Sequence, residues 1–324
     1  MITSELLLED YRNKRILVTG STGYLANNLI HMLKNVECQI TRLARSGKIL
    51  TLVEGKANVI DVIGDMTDPQ LLKQILPQVD ILFHFAGQSN ISQANIAPAE
   101  DIRHSILPLL QLLDGCRQLS HRPHVVLASS VSLYGYPAEL PVDENYHDKP
   151  QTIYDLHKLH CEQYLRYFSE NKHITGCILR LCNIYGPGID AHQFYNGLIN
   201  YAIYCGLQRE NIPIHGHGES QRDYLYLDDA SRAFLAAGLI PDKVNNQTYI
   251  VSSGVSYTIN AVIEKVRASL LEHRGIHVET ITTDIETPSQ IRDFRGNFTK
   301  FYQATGWMPT VNLEQGINQT IAMQ

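Results

Sequence analysis

Tyr154 and Lys158 stand four residues apart in Ile153-Tyr154-Asp155-Leu156-His157-Lys158, a stretch whose pattern reads as helix. Residues at that spacing share a helix face, so a phenol and an ammonium can point into one site. A free tyrosine ionises near pH ~10, and a fixed cation a few ångströms from a phenol favours the phenolate. A phenol in such a place can take and return a proton near neutrality. The same spacing also occurs on ordinary amphipathic helices with solvated lysines. What separates the two readings is whether the chain supplies something for the pair to act on.

The first strand and its turn do so. Arg15-Ile16-Leu17-Val18-Thr19 reads as a buried strand and stops at Gly20-Ser21-Thr22-Gly23-Tyr24-Leu25-Ala26, with apolar periodicity continuing through Leu33. Strand, glycine turn and helix form the context that a dinucleotide fingerprint requires. Gly20 permits the tight turn, Gly23 lets a pyrophosphate approach a helix N-terminus, and Ala26 allows helix to pack closely on strand. The next strand, residues 38–44, ends in Ala44 where a NAD site usually carries an acid for the ribose 2′-hydroxyl. Arg45, Ser46 and Lys48 follow. A guanidinium without a carboxylate favours a 2′-phosphate, so the expected cofactor is NAD(P), with NADP preferred over NAD. The competing reading of Arg45 is a solvated side chain or one stacked on adenine.

Further strands at residues 57–63, 80–85, 124–130 and 176–181 alternate with helical stretches. Such alternation predicts an α/β fold, a Rossmann-like doubly wound parallel sheet built from right-handed βαβ units. The third strand runs into Gly64-Asp65-Met66 and the fourth into Phe85-Ala86-Gly87-Gln88-Ser89, at the sheet edge where ligands bind in such folds. Residues 1–182 are expected to form the dinucleotide-binding domain, with 228–255 returning to it. Residues 183–227 and 256–324 are expected to form a smaller C-terminal α/β substrate-binding region.

With 44% hydrophobic and 19% charged residues and a net charge of -6, the 324-residue chain has a soluble globular composition. That charge gives no electrostatic reason to expect nucleic acid or an anionic membrane as partner. No apolar run approaches the ~18 residues of a membrane span, and the acidic start lacks the features of a secretory signal, so a cytoplasmic location is expected. The six cysteines are scattered and predict buried, reduced thiols. His157 with His160, and His215 with His217, lack the spacing of a metal site; surface histidines and no metal are expected.

These segments together resemble the extended short-chain dehydrogenase/reductase family, in particular the nucleotide-sugar epimerases and dehydratases. The resemblance rests on the Gly20–Ala26 turn, Gly64-Asp65, His84-Phe85-Ala86-Gly87-Gln88, Ser129-Ser130 with Tyr134-Gly135, and Tyr154-x-x-x-Lys158. It extends through Arg180-x-x-Asn183-x-Tyr185-Gly186-Pro187-Gly188, Arg222-Asp223-Tyr224 with Asp228-Asp229, and Gly306-Trp307-x-Pro309. It implies a proton-transfer set of Ser130, Tyr154 and Lys158, in which Ser130 bonds the reacting sugar oxygen and Lys158 also binds the nicotinamide ribose. It implies cofactor contacts at Gly20, Thr22, Gly23, Tyr24, Leu25, Arg45, Asp65, Met66, Phe85, Ala86 and Gly87, besides Tyr154 and Lys158. Substrate contacts are expected at Gln88, Ser89, Ser132, Asn183, Arg222 and Arg292, with Arg295 competing for the last place; a surface salt bridge is the alternative for the later arginines. A homodimer is implied as well.

Two departures sharpen the expectation. The 4,6-dehydratases of this family carry an Asp-Glu pair after the hydroxyl residue, where this chain has Val131 and Ser132. Neither side chain can serve as a carboxylic acid or carboxylate base, so elimination of water is disfavoured. Ser105 stands at the family's usual Asn and is expected to loosen a support of the site. The expected activity is therefore an NAD(P)-dependent nucleotide-sugar epimerase working by reversible hydride transfer at a sugar carbinol, C4 foremost. The alternatives are an NADPH-dependent ketoreductase of a nucleotide-4-keto sugar and, further off, a non-catalytic NADP-binding sensor.

Overall fold

The computed structural model describes residues 8–45, 54–188, 197–284 and 293–324. Ser46, Lys48 and Arg292 lie outside them. Seven parallel strands form the main sheet: β1 (Arg15–Thr19), β2 (Gln39–Ala44), β3 (Asn58–Ile63), β4 (Ile81–His84), β5 (His124–Ser130), β6 (Thr175–Leu181) and β10 (Gln247–Val251). Their order is β10-β6-β5-β4-β1-β2-β3, and the reversal beside β1 makes the sheet doubly wound. At its edge β10 pairs in parallel along β6.

Period-two alternation divides each central strand between two cores. Ile16, Val18, Phe83, Val126 and Leu179 enter one cluster, with helices α1 (Tyr24–Leu33) and α8 (Leu227–Gly238). Leu17, Leu82, Val125, Leu127 and Ile178 enter the other. That second core is closed by α2 (Pro69–Ile75), α5 (Leu107–Arg117) and α6 (Ile153–Glu170). Short helices α3 (Ile91–Ile96) and α4 (Pro98–Asp101) precede α5, and a π-helical turn over Ile102–Ile106 joins α4 to it. All six cysteines are buried and free. Among the described residues no helix is long and apolar enough to cross a membrane.

A third core lies outside the main sheet. It gathers α7 (Leu198–Leu207), α10 (Ile259–Arg274) and α12 (Leu313–Ala322) around β7 (Asn183–Tyr185), β8 (Ile212–His215) and β9 (Gln221–Tyr226). Here β9 pairs in parallel with β7 and antiparallel with β11 (Ser256–Thr258), while β12 (Thr280–Thr283) runs parallel to β8. The helices α9 (Pro241–Val244) and α11 (Thr299–Thr305) flank the β10 edge.

The start of α6 fixes where Tyr154 and Lys158 sit. Thr152 Oγ1 accepts from the Asp155 N–H at 3.1 Å, and Asp155 Oδ2 accepts from the Thr152 N–H at 3.2 Å. This reciprocal capping box satisfies two of the otherwise orphaned amides and begins the helix immediately before Tyr154. Further along α6, the buried Glu162 meets Arg180 of β6 at 2.7 Å and accepts from the Ser129 hydroxyl at 2.6 Å. Arg180 also binds Asp148 at 2.6 Å and lies 4.8 Å from the centre of the Tyr134 ring. Burial opposes the charge on Arg180, but bonding and attraction to Glu162 and Asp148 more than offset it and raise its pKa. The helix bearing Tyr154 and Lys158 is thus tied to the strand ending in Ser130.

Candidate active site

A cleft of about 780 Å³ opens along the carboxyl ends of β1, β2, β4, β5 and β6. Its floor at one end is the glycine turn. Gly20 has φ +64°, and a Cβ there would stand 2.7 Å from the Ala86 nitrogen, so this crossing of β1 and β4 needs glycine. Helix α1 begins at Gly23 with no side-chain cap and no acid in its first turn. Gly20, Thr22, Gly23 and Tyr24 at its start line the cleft, and a helix N-terminus in such a place suits an anion such as a pyrophosphate. The residues present therefore fit a dinucleotide.

Ala44, Arg45, Asp65, Met66 and His104 line one end of the cleft. The backbone N–H and then the hydroxyl of Thr67 hold the Asp65 carboxyl below its usual pKa, with Arg45 and His104 adding to the effect. The other end holds Ser130, Tyr154 and Lys158, half-buried. Lys158 Nζ donates to the Ala128 carbonyl at 3.1 Å and lies 5.8 Å from the centre of the Tyr154 ring. Beneath them, His84 Nδ1 lies 3.0 Å from the Thr19 hydroxyl. Burial first, and then Lys158, push the His84 pKa down to about 3.

Every residue expected to touch cofactor lines this one cleft, as do Gln88, Ser89 and Asn183. Ser132 and Arg222 are not in its described lining. Ser132 instead hydrogen-bonds Ser130, accepting from its hydroxyl at 2.9 Å and donating its backbone N–H to Ser130 Oγ at 3.1 Å. Arg222 lies opposite Tyr257 in the β9–β11 ladder and donates to the Gln221 carbonyl. Arg292 lies outside the described residues. Arg295 donates to the Leu140 carbonyl at 3.3 Å.

Two features escape sequence reasoning. Asn200, fully buried on α7, donates to the Tyr24 hydroxyl at 3.3 Å and accepts from the Gly186 N–H at 3.2 Å, bridging the glycine turn and the end of β7. His157 is a buried residue and not the expected surface histidine: its Nδ1 is 2.5 Å from Asp101 Oδ2. The Ser105 hydroxyl accepts from the Gln88 N–H at 3.0 Å. No cluster of metal-ligating side chains occurs among the described residues.

The chemistry available follows from the lining. A phenol and a serine hydroxyl at one end can exchange a proton with a bound alcohol or ketone, beside a lysine ammonium. Among the described lining residues Asp65 is the one carboxylate, and it stands with Ala44 and Arg45, away from Ser130. Val131 and Ser132 leave no acid next to the serine.

Known proteins agree with this architecture. The chain is 26% identical over 310 residues to a putative UDP-glucose 4-epimerase of Methanocaldococcus jannaschii, covering 94% of this chain and 97% of that protein. It is 26% identical over 329 residues to a dTDP-glucose 4,6-dehydratase of Xanthomonas campestris, covering 94% and 91%. Among solved structures, the UDP-glucose 4-epimerase of Thermotoga maritima with UDP-glucose superposes with a TM-score of 0.85 at 25% identity, covering 95% of this chain and 98% of that one. Residues 16–252 match the NAD dependent epimerase/dehydratase family. The glycine turn, the Tyr154–Lys158 face and the seven-stranded sheet all fall within that match, and the chain belongs to the NAD dependent epimerase/dehydratase family of enzymes.

Proposed function

We propose that this enzyme epimerises a nucleotide-linked sugar at a carbinol carbon, C4, by reversible oxidation and reduction. The observation that carries the reading is one cleft that joins the glycine turn to Ser130, Tyr154 and Lys158 with no carboxylate beside Ser130. Bound NAD(P) supplies the group that accepts hydride from that carbon and returns it. Tyr154 takes the hydroxyl proton of the sugar and later gives it back to the carbonyl oxygen. Ser130, held by Ser132, hydrogen-bonds that oxygen in both states, and Lys158 binds the nicotinamide ribose and stabilises the ionised phenol. Gln88, Ser89 and Asn183 hold the substrate from the cleft lining, and Arg222 and Arg292, outside that described lining, are assigned to its phosphates on the family pattern, within a substrate region formed by 183–227 and 256–324.

The absence of an acid beside Ser130 separates this reading from the dehydration performed by some relatives. The 4-epimerases among the relatives support C4 as the reacting position. The second reading is a ketoreductase, favoured by Arg45 at an end of the cleft where β2 offers Ala44 and no acid. Incubation with UDP-glucose and substoichiometric cofactor decides between them: epimerisation inverts C4 with no net change in absorbance at 340 nm. Stoichiometric loss of NADPH with a 4-keto sugar overturns it in favour of reduction.

The cofactor preference we infer is NADP over NAD, with Arg45 on the 2′-phosphate. Arg45→Ala is expected to weaken NADP about tenfold and leave NAD unchanged, the size of one charge-assisted contact. Equal affinities of the wild type for both dinucleotides remove the inference. We also assign a homodimer formed through α5 and α6, whose outer faces carry a groove lined by Leu110, His160, Tyr164 and Tyr167. Tyr167 is 59% exposed there, a large aromatic surface for a lone chain. The buried reduced thiols suit the cytoplasm, which we take as its setting.

A further inference from the structure

We propose that Asp101 and His157 form a buried positioning pair that sets the Gly87–Ser89 floor of the cleft against the Tyr154–Lys158 face; the proposal rests on the catalytic reading above. His157 occupies α6 one residue before Lys158 and three after Tyr154. Its ring turns away from the cleft and reaches Asp101 on α4, 2.5 Å from Nδ1 to Oδ2, with both side chains buried. The other carboxylate oxygen of Asp101 accepts from the Ser105 hydroxyl at 3.4 Å, and Ser105 Oγ in turn accepts from the Gln88 N–H at 3.0 Å.

Four groups therefore run in series from the catalytic helix to the backbone of the cleft floor. Ser105 follows Asp101 by four residues across the π-helical turn, one helical turn on, and so comes back over the carboxylate. Gly87 marks where the series meets the site. A Cβ on it would find Ser105 Oγ at 3.6 Å and Lys158 Nζ at 3.9 Å, so this bend of the floor is bracketed by both. A buried carboxylate holds its place only while its donors remain, and removing the imidazole leaves Asp101 without its shortest bond. The floor then loses its fixed distance to Tyr154, and misplacement by about 1 Å at a reacting centre can lower a rate about 100-fold.

Neither Asp101 nor His157 touches the cleft, so they act through Ser105 and Gln88 and are not catalytic residues. The test pairs His157→Leu, which removes the donor, with His157→Asn, whose amide can reach Asp101 from nearly the same place. In the free protein, amide exchange at Gln88 should rise about tenfold in His157→Leu while the β4 and β5 amides stay protected, and should return to the wild-type rate in His157→Asn. With nucleotide sugar and saturating cofactor, kcat should fall about 10- to 100-fold in His157→Leu with KM within about twofold, and recover in His157→Asn. Unchanged exchange at Gln88 in a folded His157→Leu protein overturns the proposal, and so does a failure of His157→Asn to restore it. Should His157→Leu not fold, Asp101→Asn decides by the same exchange measurement. A wild type without turnover defeats the epimerase reading alone, because the exchange at Gln88 still tests the pair.

Discussion

The two walls of the cleft are built by different means. On the dinucleotide side the contacts come from the ends of adjacent parallel strands, each with its loop directly attached, and a single turn from Gly20 to Tyr24 supplies several of them. On the other side Asn183 sits on β7 of a separate three-stranded sheet, paired with Tyr224 of β9 far away in sequence. Asp223 shows the manner of holding: its buried carboxylate accepts from the backbone N–H groups of Ser253, Gly254 and Gly296 and from the Ser253 hydroxyl. The first wall is a property of sheet topology, while the second depends on a few polar clamps between segments.

Three experiments press on that contrast, beginning with the largest effect. Tyr154→Phe removes the proton acceptor but none of the strand-end cradle, so kcat should fall about 10³-fold while dinucleotide affinity holds within about twofold. Turnover equal to wild type in that variant would falsify the proton-transfer role.

Acid should strain the main sheet next. His84 titrates at about 3 and His124 at about 4 when folded, both lowered first by burial, against an ordinary 6.5. Below pH 6.5 the unfolded chain therefore binds more protons than the folded one, and stability falls as pH drops towards those values. Urea unfolding at pH 4.5 should show a loss on the order of 2 kcal/mol for each histidine relative to pH 7.5. A midpoint that stays level across this range would show that burial of these rings does not govern the sheet.

The smallest effect tests the seam. Asn200 is bonded to both walls, to Tyr24 on one side and Gly186 on the other. Asn200→Leu leaves both partners unmatched, at roughly 1–3 kcal/mol, and should weaken dinucleotide and nucleotide sugar together. Calorimetric titration of each ligand separately would reveal independence if only one affinity moved.

The same contrast explains what the sequence made legible. Gly20, Gly23 and Ala26 follow their strand directly, and Tyr154 and Lys158 share one helix turn, so local spacing was enough to gather them. Strand alternation likewise forecast the parallel sheet. Contacts between distant segments carried no such signal. His157 read as a surface histidine because its partner, Asp101, is 56 residues away, and Asn200 meets Tyr24 across 176. The π-helical turn that places Ser105 has no mark in composition or periodicity. Arg222 matched a motif, yet its strand keeps it out of the described lining of the cleft.

Arg180 carries a consequence for how such a site can change over generations. Its guanidinium is shared between Glu162 of α6 and Asp148, over the ring of Tyr134, and Glu162 also receives the hydroxyl of Ser129 beside Ser130. Replacing Arg180 alone leaves the buried Glu162 with Arg166 at 3.0 Å and the Ser129 hydroxyl as its partners, and replacing Glu162 alone takes from Arg180 its closest buried counter-ion. Single steps away from this arrangement are therefore penalised from either end. A change at this joint therefore has to alter both partners together if the helix bearing Tyr154 is to stay tied to the strand bearing Ser130.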